Sequence, residues 1–282
     1  ATGMAVPQAT LIVGQVINFL AVLALYPLAV RLGKSQWAGV VAVAVAGLFS
    51  KHPAYYVNWG RYPQLAGQMI LPGAIWLFWT YADRKRFSAK AALVTALSLV
   101  GMTLGYYRMP YNWLAFFGGW FVAFYLPRYW KQPKHPMRHW AEFGGRVVLV
   151  AVLAAIMVLP WAFNMSSRLS AGLGGGAGGG SKSTDIVSVW QSLWFSVPAA
   201  TLAVVALGTL WGMARQSRRV LLPVAWSLVL ILLPATQALR WPGTAIMQEY
   251  AFQIGMYIPL SLIWGVIGGD LLEYMAGRRA WR

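Results

Sequence analysis

The sequence predicts an all-α, polytopic membrane protein, a bundle of about nine transmembrane helices that forms a single domain over residues 1–282. The composition is the first observation behind this fold class, because 59% of the residues are hydrophobic and only 10% are charged. An average soluble domain carries roughly 25% charged residues, which cover its surface. The second observation is a series of apolar segments near the length of about 20 residues that crosses a bilayer. Together these observations exclude soluble, disordered and collagen-like proteins.

Nine apolar segments follow one another along the chain, separated by polar or basic connections. We predict a membrane-spanning helix in each, although the second is short enough to be tilted or re-entrant. The nine segments cover 9–30, 37–50, 66–82, 91–107, 111–127, 147–163, 190–213, 220–237 and 251–269.

A glycine-rich stretch, LGGGAGGGSKS, lies in the long connection at 164–189. Its composition is typical of a linker, so we predict that this connection is a flexible external loop. The stretch imitates a phosphate-binding loop, but Ser181 stands before Lys182, where that motif requires glycine. We therefore expect no nucleotide site here.

The distribution of basic residues predicts the orientation in the membrane. If the N-terminus lies outside, 17 of the 23 Lys and Arg residues fall in cytoplasmic connections or in the C-terminal tail. Six remain outside: Lys51, Arg61, Arg108, Arg168, Lys182 and Arg240. This asymmetry obeys the positive-inside rule, so we expect an external N-terminus and a cytoplasmic C-terminus. Topology and contact with anionic membrane lipids then explain most of the net charge of +17, and no nucleic-acid partner is expected.

The external connection at 51–68 contains the densest set of candidate binding residues. Aromatic rings suit the C–H faces of a sugar, amides suit its hydroxyls, and the planar guanidinium of Arg61 suits a phosphate oxygen. The alternative is an aromatic belt at the membrane interface, with Arg61 reaching to lipid headgroups. The candidates are Tyr55, Tyr56, Asn58, Trp59, Arg61, Tyr62, Gln64 and Gln68.

Two further external arginines, Arg108 and Arg240, stand among aromatic residues or next to one. They predict an anion site shared with Arg61, the alternative being three separate headgroup contacts. Glu249 is the one external acid beside apolar residues, which makes it the candidate catalytic acid. Its alternative role is an ion-pair partner of Arg240 or an interface residue. Asp83, in contrast, stands beside basic residues and is expected to balance their charge in solvent.

The chain has no cysteine, which excludes disulfides, iron–sulfur clusters and cysteine nucleophiles. His135 and His139 lie four residues apart, but two histidines without a third ligand are a weak metal signal. No metal ligand set and no cofactor are evident from the residues.

The stretches PQATLIVGQVIN at 7–18 and HPAYYVNWGRYPQLAGQMILP at 52–72 resemble a group of bacterial polytopic proteins. That group is similar to the GT-C class of lipid-linked-sugar glycosyltransferases, and the resemblance is closest over about residues 7–80. It implies a bacterial plasma membrane protein whose external loops bind a polyprenyl-phosphate sugar and transfer the sugar to an acceptor. The external arginines and aromatic residues would hold the lipid phosphate and the sugar.

One departure from the GT-C class limits what the resemblance implies. Members of the class place their acidic catalytic residues in the first external loop, and no acid precedes the first apolar segment here. We expect that the catalytic loop belongs to an upstream segment or another chain, or that this protein is a non-catalytic relative. A divalent metal is expected only if such an acidic loop exists.

Two functions therefore remain open. The first is the membrane portion of a GT-C-like glycosyltransferase, with Arg61 and Arg108 on the phosphate and with Tyr56, Trp59 and Gln64 on the sugar. The second is a non-catalytic structural subunit of a larger bacterial membrane complex. The expected partners are membrane lipids, a polyprenyl-phosphate sugar and a partner membrane chain.

Overall fold

The computed structural model describes residues 5–84, 86–126, 136–173, 199–233 and 254–277. Within these ranges the regular elements are all helices. We number the α-helices in chain order: α1 Val6–Leu23, α2 Leu25–Gly33, α3 Gln36–Ala44, α4 Tyr55–Asn58, α5 Tyr62–Ala82, α6 Ala89–Gly105, α7 Met109–Trp120, α8 Pro136–Leu173, α9 Ala199–Ala214, α10 Arg218–Leu232 and α11 Tyr257–Met275.

Three shorter elements extend this series. The π-helical turns Val45–Phe49 and Phe121–Tyr125 continue α3 and α7, and the 3-10 turn Ile254–Met256 leads into α11.

Three stretches of helix are long and apolar enough to cross a membrane: Val6–Gly33, Trp140–Met165 and Tyr257–Met275. In the second of these, only 6% of the most apolar window is buried inside the protein, as expected for a helix surrounded by lipid. These helices indicate a membrane protein. The number of nine spans and the orientation of the termini stay predictions.

The nine apolar segments all overlap described helices, but two boundaries differ from expectation. Helix α5 begins at Tyr62, inside the predicted loop, because Pro63 stands in the first turn, where a missing N–H costs nothing. Helix α8 continues to Leu173, so residues 164–173 of the predicted flexible loop are helical. The rest of that loop, 174–189, lies outside the described residues.

Helix α11 lies at the centre of the bundle and packs against α2, α3, α9 and α10. Small residues bring α3 and α11 together: a Cβ atom added to Gly265 would lie 2.7 Å from the carbonyl oxygen of Ala38. One added to Gly269 would lie 2.8 Å from the Ala38 nitrogen. Such close backbone approach is typical of helix packing in membranes.

One end of the bundle is held together by ionic contacts between helices. Arg31 on α2 donates hydrogen bonds to Thr80 Oγ1 at 2.7 Å and to Asp83 Oδ2 at 3.1 Å, both at the end of α5. Asp83 therefore pairs with an arginine 52 residues away in sequence, and this contact fixes the end of α5 to α2.

Further contacts join other helices at this same end. Arg219 on α10 donates to the carbonyl oxygen of Gly33 at 2.8 Å and lies 3.7 Å from Asp270 on α11. Ser35, before α3, donates to Glu273 at 2.6 Å. We call this group the charged end: Arg31, Ser35, Asp83, Arg219, Asp270 and Glu273.

Candidate functional site

The connection between α3 and α5 forms a layer of aromatic rings around the short helix α4. The rings of Tyr55 and Trp59 meet edge to face at 4.7 Å, and His52 lies 5.4 Å from Tyr56. Tyr56 is fully buried, whereas Tyr55 and Trp59 are about half exposed. The layer therefore has a buried side and an open side, and Asn58 lies among its exposed residues.

A glycine on α1 allows this aromatic layer to pack closely against that helix. A Cβ atom at Gly14 would collide with the Tyr62 ring and lie 3.1 Å from Val57, so only glycine leaves room for them. The Tyr62 hydroxyl also donates to the Val57 carbonyl oxygen at 3.4 Å. Tyr62, which the sequence analysis predicts to be a binding residue, thus helps α4 and α5 to pack against α1.

The first turns of α5 carry two buried amides, Gln64 and Gln68, one turn apart. Gln68 Nε2 donates to the Tyr56 hydroxyl at 3.5 Å, a long hydrogen bond. The Gln68 Oε1 atom and both polar atoms of Gln64 have no hydrogen-bond partner among the described residues. Four residues beyond Gln68, Pro72 stands inside the helix and has no N–H to donate to the Gln68 carbonyl.

The α6–α7 connection closes onto α5 because two glycines allow it. A Cβ atom at Gly67 would lie 2.7 Å from Met109 Cγ and 3.1 Å from Tyr106 Cβ, and one at Gly105 would lie 3.3 Å from the Gly67 nitrogen. Any larger residue at position 67 would push Tyr106 away from α5.

Arg108 is buried in this connection and is held by two tyrosines. Its guanidinium donates to the Tyr106 hydroxyl at 3.1 Å and stacks over the Tyr107 ring at 5.1 Å. Arg61, half-buried, lies over the Trp59 ring at 5.6 Å. Arg61 stands at the start of α5 and Arg108 at the start of α7, and Tyr106 beside Arg108 packs against the Gly67 position on α5.

The structure adds two residues that the sequence analysis missed, Asn112 and Tyr257. Asn112 is buried on α7, one turn after Arg108, and its Oδ1 atom would lie 3.0 Å from a Cβ atom at Gly255. Tyr257 is buried at the start of α11, two residues after Gly255. The spacing of four from Arg108 could have indicated Asn112. Tyr257 had no local signal, because its neighbours come from distant parts of the chain.

These residues meet at the N-terminal ends of α5 and α11, whereas the charged end lies at their C-terminal ends. We call the group the aromatic end: Tyr56, Arg61, Gln64, Gln68, Tyr106, Arg108, Asn112 and Tyr257.

Burial favours the neutral forms of two titratable groups in the α3–α5 connection, Tyr56 and His52. Burial raises the pKa of the Tyr56 phenol, although its hydrogen bond with Gln68 opposes the change. Burial and the nearby charge of Lys51 lower the pKa of His52. The arrangement can bind an anion beside uncharged hydrogen-bonding groups.

Two predicted site residues, Arg240 and Glu249, lie outside the described residues. Within the described ranges, no group of three His, Cys, Asp or Glu side chains could hold a metal ion.

Fold and site together indicate a helical membrane protein with a cluster of buried polar side chains at one end. The chain belongs to DUF6541, a family of unknown function, which it matches over residues 1–250. This match includes every residue of the aromatic end except Tyr257. No curated protein and no solved structure matches the chain.

Proposed function

We propose that the chain is the membrane portion of a GT-C-like glycosyltransferase and binds a polyprenyl-phosphate sugar at its aromatic end. The observation that carries this proposal is a buried arginine, Arg108, which bonds to Tyr106 and stacks on Tyr107. Buried uncharged amides lie at the same end of the bundle. An arginine fork matches phosphate oxygens, and amides match sugar hydroxyls. A site of this kind at the end of a bundle of apolar helices suits a ligand whose tail lies in the bilayer.

The proposal includes an orientation in the bacterial plasma membrane. The aromatic end faces outward and the charged end faces the cytoplasm, with the N-terminus outside, the C-terminus inside and about nine spans. This orientation is supported by the excess of basic residues in the connections on the cytoplasmic side.

The proposed reaction breaks the bond between the anomeric carbon of the sugar and a phosphate oxygen of the lipid. The acceptor hydroxyl forms the new bond to that carbon, and its proton passes to a general base. Arg108 and Arg61 stabilise the negative charge that develops on the departing lipid phosphate. Glu249 is the acid of this chain to test as the base, and another chain or segment is the other source.

The second candidate function is a non-catalytic structural subunit of a membrane complex. It is favoured by the open side of the aromatic layer, where Tyr55 and Trp59 are about half exposed and match residues that contact headgroups or a neighbouring protein. This function requires no binding of a lipid phosphate.

The experiment is a titration of the full chain in nanodiscs with undecaprenyl phosphate, read by native mass spectrometry. Arg108→Ala should weaken binding by about tenfold or more, since a hydrogen bond to a charged group contributes about 1.5–3 kcal/mol. The matched control is Arg215→Ala, because Arg215 also stacks on an aromatic ring, Trp211, at 5.3 Å. This control should bind like the wild type.

A conservative variant separates binding from folding. Arg108→Lys keeps the positive charge but loses the planar fork, so it should show an intermediate affinity at an unchanged unfolding temperature. Absence of saturable binding by the wild type, or equal affinities of the Arg108→Ala and Arg215→Ala variants, would overturn the proposal and favour the structural subunit.

A further inference from the structure

Four uncharged side chains of the aromatic end have polar atoms for which the described part of the protein supplies no hydrogen-bond partner. Gln64, Gln68, Asn112 and Tyr257 are each at most 4% exposed. Both polar atoms of Gln64 and Asn112, Oε1 of Gln68 and the hydroxyl of Tyr257 have no partner among the described residues. An unpaired buried polar group destabilises a folded protein, so four such side chains at one end of the bundle need an explanation.

The helices that carry the four side chains begin in the same region of the bundle. Gln68 on α5 bonds to Tyr56 at 3.5 Å. Gly255, two residues before Tyr257, lies against Asn112 Oδ1 on α7. These contacts connect α5 to α4 and α7 to the start of α11.

A second set of contacts leads from α7 to α5. Asn112 lies one turn after Arg108, so both side chains are on the same side of the chain at the start of α7. Arg108 bonds to Tyr106 at 3.1 Å, and Tyr106 lies against Gly67, which is next to Gln68. The buried arginine therefore stands one turn before Asn112 and bonds to a tyrosine that packs against α5.

The chemistry of the four side chains indicates what they bind. Each amide offers a donor and an acceptor, and the Tyr257 hydroxyl offers both. A carboxylate ligand would face acceptors that it cannot satisfy, and an ammonium ligand would face donors that it cannot accept from. Hydroxyl groups donate and accept at once, so a ring that carries several hydroxyls and no charge pairs with all four.

We propose that Gln64, Gln68, Asn112 and Tyr257 form a subsite for a neutral sugar ring beside the phosphate site at Arg108. This inference rests on the proposed function for the lipid phosphate. It adds the residues that distinguish a sugar-loaded lipid from an empty one, and it specifies a sugar without carboxylate or ammonium groups.

The test compares four probes on the full chain in nanodiscs. They are undecaprenyl phosphate alone and the same lipid loaded with a neutral hexose, an aminosugar or a uronic acid. The hexose-loaded lipid should bind about tenfold more tightly than the bare lipid, which corresponds to about 1.4 kcal/mol. The charged sugars should give no such gain.

Variants then identify the residues responsible for the gain in affinity for the hexose-loaded lipid. Asn112→Leu and Gln64→Leu should remove the gain from the hexose, whereas Arg108→Ala should weaken binding of bare and loaded lipid alike. Tyr257→Phe deletes only a hydroxyl, so it should reduce the gain even if the leucine variants fold poorly. The matched control is Ser227→Ala, since the buried Ser227 hydroxyl already donates to the Pro223 carbonyl at 2.8 Å. This control should leave the gain intact.

The outcomes separate the two proposals. If bare and hexose-loaded lipids bind equally, the unpaired groups are satisfied by water and the sugar subsite is refuted, while the phosphate site stands. If a charged sugar binds as tightly as the hexose, the neutral-sugar inference is wrong. If none of the lipids binds, the proposed function itself fails.

Discussion

The two ends of the bundle use polar residues in opposite ways. At the charged end, Arg31 and Arg219 bond to partners on other helices at 2.7–3.1 Å, and these contacts hold helix ends together. At the aromatic end, Gln64 and Asn112 are buried without partners among the described residues. The comparison indicates that polar groups at the charged end stabilise the fold, whereas these two amides at the aromatic end lower its stability.

The largest expected effect concerns two glycines of α5. Gly67→Ala would place a Cβ atom 2.7 Å from Met109 Cγ, so it should lower the free energy of unfolding by about 1–3 kcal/mol and weaken lipid-phosphate binding. Gly73→Ala is the control, because nothing lies within 4 Å of its Cβ position. It should stabilise the helix by up to about 1 kcal/mol. Thermal unfolding in detergent measures both, and an equal response of the two glycines would contradict the close approach of Tyr106 to α5.

A second prediction tests whether an unpaired amide at the aromatic end lowers the stability of the protein. Gln64→Leu replaces an unpaired buried amide by an apolar side chain of similar size, so it should raise the free energy of unfolding by about 1 kcal/mol. The same variant should lose affinity for the sugar-loaded lipid. If stability falls instead, the amide is paired in the folded protein and the contrast between the two ends is weaker than described.

A third prediction applies the opposite change to the charged end. Asp83→Asn should lower the free energy of unfolding by at most about 1 kcal/mol, because the side chains of Arg31 and Asp83 are partly exposed, at 24% and 39%. The loss should shrink at high salt, and lipid binding should stay unchanged. A change in lipid binding would show that the two ends are coupled.

The smallest expected effect is a pH dependence from His52. Burial lowers its pKa, so the folded state favours the neutral ring and the unfolded state binds a proton more readily. Stability should therefore fall as the pH drops from the ordinary histidine pKa of 6.5 through the lowered value in the folded protein. His52→Phe should flatten this part of the profile of unfolding temperature against pH. Identical profiles for wild type and variant would rule out this role.

The sequence could predict those features that depend on local pattern. Hydropathy is local, so each of the nine apolar segments overlaps a described helix, although nine membrane spans remain a prediction. Residue chemistry is also local, so Arg61, Arg108 and Gln68 could be named before their positions were known.

Contacts between distant residues could not be predicted in the same way. Asp83 was expected to balance neighbouring basic residues in solvent, but it bonds to Arg31 on another helix. Tyr257 joins the aromatic end only because α11 packs at the centre of the bundle. Neither partner is encoded by spacing along the chain, because helix packing sets both.

Pro72 has a mechanical consequence for the relation between the two ends. Because it supplies no N–H to the Gln68 carbonyl, the backbone ladder of α5 is interrupted between the turns that carry the two glutamines and the stretch that reaches Asp83. We therefore expect that the turns with Gln64 and Gln68 can tilt slightly without moving the stretch that reaches Asp83. Pro72 should then absorb a displacement of these turns, so that the contact between Arg31 on α2 and Asp83 stays unchanged.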